Sequence, residues 1–280
     1  MSTRPCALPL ALGVAAAHGV TCGGACALEA LSHRLANRHA AALPQTGAVL
    51  VLLLPFYTGE YPNRNVACYA VPDDYHRIAG DILQEVVATL AAAYPQNCFL
   101  PFVDSSPIPE VEAAVLAGLG WRGKNGQLLT EGYGSLCFLC EVVTDLALWE
   151  VVDQPPKSVP DSCGSCTRCL DSCPTGALSL NGLDKTRCRS FITQKKGALS
   201  DWERDQIQAG GLAWGCDICT MACPRNRHPV LSTVAALREH PVPRLTAETV
   251  APLLSQKSYG WRGSGVLLRN LAILNDSERE

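Results

Sequence analysis

The 280-residue chain lacks a strong excess of either charge: 23 basic side chains face 26 acidic ones, for a net charge of −3. Net charge therefore gives no sign of a cationic, nucleic-acid-binding surface, although a local patch is compatible with that balance. The chain also lacks an uncharged apolar run of the roughly 20 residues that a membrane helix needs. The longest candidate, TGAVLVLLLPFY at 46–57, reads instead as a fully buried strand bounded by Gly47 and Pro55. The apolar stretch Pro5–Val20 follows Arg4 and loosely imitates a signal peptide, but a buried strand or helix of a first domain is the expectation. A hydrophobic share of 48% is enough for a sizeable core in one or two domains.

Cysteine is present in abundance, with 15 residues, eight of them between Cys163 and Cys223. In a small secreted chain such a count would suggest a disulfide framework. Clustering at short fixed spacings in a longer chain points instead to metal in a reducing compartment, and so to a cytoplasmic location.

Residues 163–174 read CGSCTRCLDSCP, which is C-x2-C-x2-C-x3-C-P. In that run three thiolates wrap one four-iron, four-sulfur cluster, and the fourth, before the proline, ligates the neighbouring cluster. A structural zinc site would need only four cysteines in paired knuckles. Residues 216–224 read CDICTMACP and match the second, third and fourth positions of the same run, with Ala213 in the first. The missing ligand falls to Cys188, the only cysteine between the two runs; its alternative role is that of a small buried hydrophobe. One cluster then takes Cys163, Cys166, Cys169 and Cys223, and the other Cys173, Cys188, Cys216 and Cys219. Among the remaining cysteines, Cys137 and Cys140 have the spacing of a metal pair, but in a strand that spacing puts them on opposite faces. Cys22 and Cys26 have no convincing second pair.

The first 150 residues alternate between strands and helices. A buried strand at 48–54 precedes a helix at 74–93 with Ile78, Ile82, Val86 and Leu90 at helical spacing. A short strand at 99–103, a helix at 109–119 opening on Glu110 and Glu112, and a strand at 135–144 follow. The pattern predicts an α/β or α+β domain at 1–150. A proline-marked linker leads into a double-cluster, ferredoxin-like domain within 151–228, and a helical segment occupies 229–280. Paired clusters carry electrons and do not recognise a substrate, so the first domain is expected to hold a second cofactor and the molecule to be reduced.

Several segments resemble the epoxyqueuosine reductase family: CYAVPDDYHRIAGDIL (68–83), FVDSSPIPEVEAAVLAGLGWRGKNGQLL (102–129), GSLCFLCEVVTDL (134–146), both cysteine runs, KTRCRSFITQKKG (185–197) and RGSGVLLRNLAI (262–273). Together they cover roughly residues 45–275, in order. The resemblance implies an oxidoreductase with two [4Fe-4S] clusters and cobalamin held between the first domain and the cluster domain. It implies that the epoxide of tRNA-borne epoxyqueuosine becomes an alkene, with an external low-potential electron donor and no membrane.

Asp104 occupies the position of the family's general acid, and the neighbouring Phe102 and Val103 suggest a raised carboxyl pKa. Its alternative role is a strand-end cap. Tyr75, His76, Gly120, Trp121, Gly123 and Lys124 are candidate cobalamin neighbours; the glycines also suit a plain tight turn. There are departures from the family pattern. Pro72 and Asp73 replace the usual glycine and arginine, and the chain ends soon after LLRNLAI, without the helical repeats of many members. Weak tRNA binding is therefore expected. A double-cluster electron-transfer protein and a cobalamin reductase of a small molecule are the competing readings.

The eight-thiolate count predicts about eight irons and eight sulfides per chain after anaerobic purification. Cys188→Ala should lose one cluster and keep the other. Iron analysis finding about eight irons in that variant would remove Cys188 from the ligand set.

Overall fold

The computed structural model describes residues 5–31 and 40–276. The apolar N-terminal stretch forms helix α1 (Ala7–Ala16), and its fully buried residues, Ala7, Ala11 and Ala15, recur every four positions. Four strands make the main sheet: β1 (Cys22–Ala27), β2 (Ala48–Pro55), β3 (Phe99–Val103) and β6 (Cys137–Thr144). Their order is β1-β2-β6-β3, with every neighbouring pair antiparallel.

All eight residues of β2 are buried, because both faces of the sheet are covered. Leu50, Leu52 and Leu54 pack with α1 and with α2 (Tyr75–Ala93). Val49, Val51 and Leu53 pack under α3 (Glu110–Leu116). A strand buried on two sides reads as an unbroken apolar run, not as an alternation.

The strand–helix alternation predicts an α/β or α+β domain, and the sheet is of the α+β kind. β2, α2 and β3 do form a crossover with both strands pointing the same way. β6 is inserted between them and runs against both, giving a split β-α-β arrangement. Element order cannot reveal such an insertion. Cys137 and Cys140 on β6 fall in the two opposite cores, as strand geometry requires.

Asp74 caps α2 by accepting the N–H of His76 at 3.1 Å. Helix α3 stops at Leu116, three residues short of the sequence expectation. Gly118 lies in the left-handed region at φ 75°, and the N–H groups of Gly118 and Leu119 return to the carbonyls of Val115 and Ala114. That is a Schellman stop, which a glycine here makes free of strain. A two-residue hairpin, β4 (Trp121–Arg122) with β5 (Leu128–Leu129), follows.

The cysteine segment and the C-terminal segment wrap back over the first domain. Val66, Ala70 and Val71 share a core with Trp214, Leu245, Tyr259 and Leu267. The ammonium of Lys257, fully buried, pairs with Asp73 at 2.8 Å and donates to the carbonyl oxygens of Val71 and His240. Asp73, one of the departures from the family pattern, therefore has a partner supplied by the C-terminal segment.

Asn226 is the polar joint between the second cysteine run and the sheet domain. Its Oδ1 accepts the Ser135 N–H at 2.9 Å, and its Nδ2 donates to Ser135 Oγ and to the Thr220 carbonyl oxygen. Gly134 beside it admits no side chain, since a Cβ would meet Asn226 Oδ1 at 1.9 Å. Asn226→Ala should cost about 1–3 kcal/mol, because it leaves the buried Ser135 N–H unpaired. A denaturant midpoint equal to that of the unaltered protein would show that the joint contributes nothing.

Candidate active site between the sheet and the cysteine runs

The fold brings the eight candidate thiols into two groups. Cys223 lies in the field of Cys163 and Cys166, and Cys169 in that of Cys223 and Cys163. Cys219 lies in the field of Cys216, Cys188 and Cys173. This is the partition expected from the swapped spacing. Among the described residues no three His, Cys, Asp or Glu side chains converge tightly enough to hold one metal ion.

The segment carrying Gly120, Trp121, Gly123 and Lys124 is the bolt that holds the cysteine runs. Lys124 Nζ donates to the carbonyl oxygens of Gly164 and Cys166 at 2.7 and 3.0 Å. Gln127 Nε2 donates to Thr220 Oγ1 at 3.0 Å, reaching the second run. The glycines answer to the chain itself: a Cβ on Gly120 would meet the Leu129 carbonyl oxygen at 2.1 Å, and one on Gly123 would meet Leu129 Cδ1 at 2.7 Å. Trp121 is buried, with the Arg225 guanidinium 5.0 Å from its ring.

A cavity of about 890 Å³ lies between the sheet domain and the cysteine segment. That is toward the upper end of the range for small-molecule and cofactor sites. One wall carries Cys173, Cys188, Cys216 and Cys219; the facing wall carries Tyr75, Asp104, Glu110 and Phe138, with Gly123 and Lys124 at the join. Gly120, Trp121 and His76 are not in its wall. The other four candidate thiols are not in its wall, so one thiol group adjoins the cavity and the other does not.

Tyr75 lies flat on Phe138, ring centroids 3.8 Å apart and planes 12° from parallel, and His76 stacks on the other neighbour side at 4.0 Å. His76 Nδ1 meets Asp74 Oδ1 at 2.7 Å, and its Nε2 meets Asp104 Oδ2 at 3.2 Å. Asp104 has φ 62°, the one positive value outside glycine among the described residues. Holding a non-glycine there costs about 1–3 kcal/mol, a kind of strain concentrated at functional sites.

The electrostatics correct one expectation. The His76 hydrogen bond outweighs burial and holds the Asp104 carboxyl below its ordinary value, with the Tyr75 hydroxyl adding to the effect. Burial disfavours the charged His76 ring, but hydrogen bonds to Asp104 and Asp74 lift it from 6.5 to about 9. The apolar Phe102 and Val103 do not set the Asp104 pKa, because the imidazole reaches the carboxylate first. The proton of this pair resides on His76.

Two carboxyls on the α3 side have no counterpart in the sequence reading of the site. Glu110 was read only as the acidic start of a helix, and Glu141 only as a strand residue. A lone glutamate inside the apolar strand SLCFLCEVVT is the sequence signal for the second.

Fold, paired thiol groups and interfacial cavity define a double-cluster iron–sulfur protein with a cofactor-sized site. Residues 162–226 match the 4Fe-4S double cluster binding domain family, and residues 37–105 match the family described as epoxyqueuosine reductase QueG, DUF1730. The epoxyqueuosine reductase of Bacillus cereus is 35% identical over 226 residues, 74% of this chain and 56% of its own. That of Cyclobacterium marinum is 40% identical over 192 residues, 65% of this chain and 59% of its own. The chain thus spans little more than half the length of these curated relatives. A crystal structure of epoxyqueuosine reductase with an epoxyqueuosine-modified tRNA-Tyr stem loop matches 94% of this chain and 79% of its own, with a TM-score of 0.80 at 25% identity. The Bacillus subtilis enzyme shares the fold, with a TM-score of 0.81 at 24% identity. By sequence and fold the chain is related to the epoxyqueuosine reductases.

Because its folded-state value is raised, His76 contributes stability that is complete below its ordinary value of 6.5 and gone once the pH passes about 9. An NMR titration should find His76 charged at pH 7, and Asp104→Asn should lower its midpoint. An unchanged midpoint in that variant would mean that the two side chains are not paired.

Proposed function

We propose that the chain is a cobalamin-dependent iron–sulfur reductase of the epoxyqueuosine reductase type, converting the epoxide of epoxyqueuosine in tRNA to an alkene. The observation that carries this reading is the cavity, with four candidate cluster thiols on one wall and Asp104 on the other. The thiol groups would ligate two [4Fe-4S] clusters in series, the inner one through Cys173, Cys188, Cys216 and Cys219. Electrons from an external low-potential donor would then enter at the outer group and arrive at the cavity.

The cavity fits a large flat cofactor. Tyr75 and Phe138 present a stacked aromatic surface on the sheet side, opposite the inner thiols. Cobalamin held there, against Tyr75 and Phe138, would supply a reducible cobalt as the redox chemistry of the site. The protein supplies the protons. Opening the epoxide develops an alkoxide, which needs a proton in the transition state. His76 holds that proton and Asp104, in the cavity wall, delivers it. The overall reaction consumes two electrons and two protons and releases one water.

The rim supports an RNA substrate through stacking more than through charge. Phe191 is 45% exposed, with the Lys185 ammonium 5.3 Å from its ring, and both line the cavity. Such aromatic–cation surfaces hold unstacked bases. Arg187, Arg189, Lys195 and Arg269 direct hydrogen bonds to protein groups instead.

The test is anaerobic reconstitution with cobalamin and an assay on an epoxyqueuosine-containing stem loop. The unaltered protein should form the alkene. Asp104→Asn should be slower by about 10²–10⁴-fold, with iron content and cobalamin affinity unchanged. Failure to bind cobalamin at micromolar concentration would leave the electron-transfer reading, and turnover of small epoxides alone the small-molecule one.

A further inference from the structure

The α3 side of the sheet is apolar around one exception. Glu141 sits in the middle of β6, opposite Val51 of β2 and Phe102 of β3. It is 0% exposed, and neither carboxyl oxygen closes a hydrogen bond of ordinary geometry, the Ser106 hydroxyl being the polar group beside it. Its surroundings include Val49, Val51, Ala113 and Val143. An isolated carboxylate cannot be held in such a place; the group takes up a proton instead.

Glu110, the first residue of α3, lies close enough to Glu141 for the two carboxyls to interact. It is in the cavity wall, and its Oε1 is buried without a partner. The backbone N–H of Asp104 faces its carboxyl and favours the charged form, but burial and the Asp104 charge prevail and push it up to about 8. Burial and the Glu110 charge push Glu141 well above the ordinary carboxylate range, tempered by the Ser106 hydroxyl. The other titratable groups around the pair are Asp104 on the loop, His76 and Tyr75 at the start of α2, and Cys140 on β6.

A packing role does not account for Glu141. A neutral carboxyl beside one hydroxyl that closes no full hydrogen bond is worse for packing than an apolar side chain of the same size. Its position, beside a cavity carboxyl that interacts with Asp104, fits proton storage.

We propose that Glu110 and Glu141 are a buried proton store for the reaction, passing the second proton through Glu110 to the cavity while Asp104 and His76 deliver the first. This rests on the reductase reading. A substrate lying over the cavity excludes bulk water, so both protons consumed in breaking the carbon–oxygen bonds must already be inside. The electrons come from the low-potential donor through the clusters, the departing oxygen leaves as water, and the store reloads from solvent when the cavity opens. Glu141 acts through Glu110 and is a positioning residue.

Infrared spectroscopy of the cluster-loaded protein with ¹³C-labelled glutamate tests the store without turnover. At pH 7 the unaltered protein should show a labelled, protonated carboxyl band, and Glu141→Gln should lose part of it. Absence of that band overturns the proposal whatever the protein reduces. In the assay, Glu141→Gln should lower kcat about tenfold with KM unchanged, and the alkaline limb of its pH profile should move to lower pH. If kcat and profile stay unaltered while Asp104→Asn is slow, the store is wrong and the reductase reading stands. Glu141→Met should raise the denaturation midpoint, as removal of a buried acid without a full hydrogen bond requires; a lowered midpoint would make Glu141 a structural residue and overturn the proposal.

Discussion

One ammonium group sets the distance between the two halves of the site. Lys124, early in the β4–β5 turn, holds the carbonyl oxygens of Gly164 and Cys166. A thiol-bearing loop that is to wrap a cluster has few backbone bonds of its own, and a charge-assisted bond from the neighbouring domain supplies them. The same turn reaches the second run through Gln127 and Thr220, while Asn226 fixes that run to Ser135. The cavity is the space that these bonds leave between the thiols and the sheet.

Across that space the protein divides its protons between two environments. On the α2 side a histidine lies between two carboxylates and is charged. On the α3 side burial pushes the Glu110 and Glu141 carboxyls above the ordinary carboxylate range. Asp104 lies between the two environments, in a left-handed conformation with consecutive tight hydrogen bonds from Ser105 to Val103 and from Ser106 to Asp104. The sheet makes the separation: α2 and α3 cover opposite faces, so groups a few residues apart in β3 and its following loop meet quite different dielectrics.

The same structure accounts for the family's glycine-rich string without invoking a ligand at every glycine. Gly118 ends a helix, and Gly120 and Gly123 let β4 lie against β5. What faces the cofactor side is the lysine that these turns aim.

The sequence by itself determined the elements governed by local spacing. The buried strand of β2, the amphipathic α2 and the clustering of eight cysteines follow from an unbroken apolar run, a 3.6-residue period and fixed short spacings, which act over short stretches of chain. Ligand counting, also a rule of the sequence, singles out Cys188, which the fold brings near Cys219. Tertiary structure alone decided the rest. The insertion of β6 between β2 and β3 depends on long-range pairing. The lowered Asp104 pKa depends on His76, 28 positions away, and the raised Glu141 pKa depends on the apolar face that it happens to share. Protonation is set by what comes near in space, and an amino-acid sequence records only what is near along the chain.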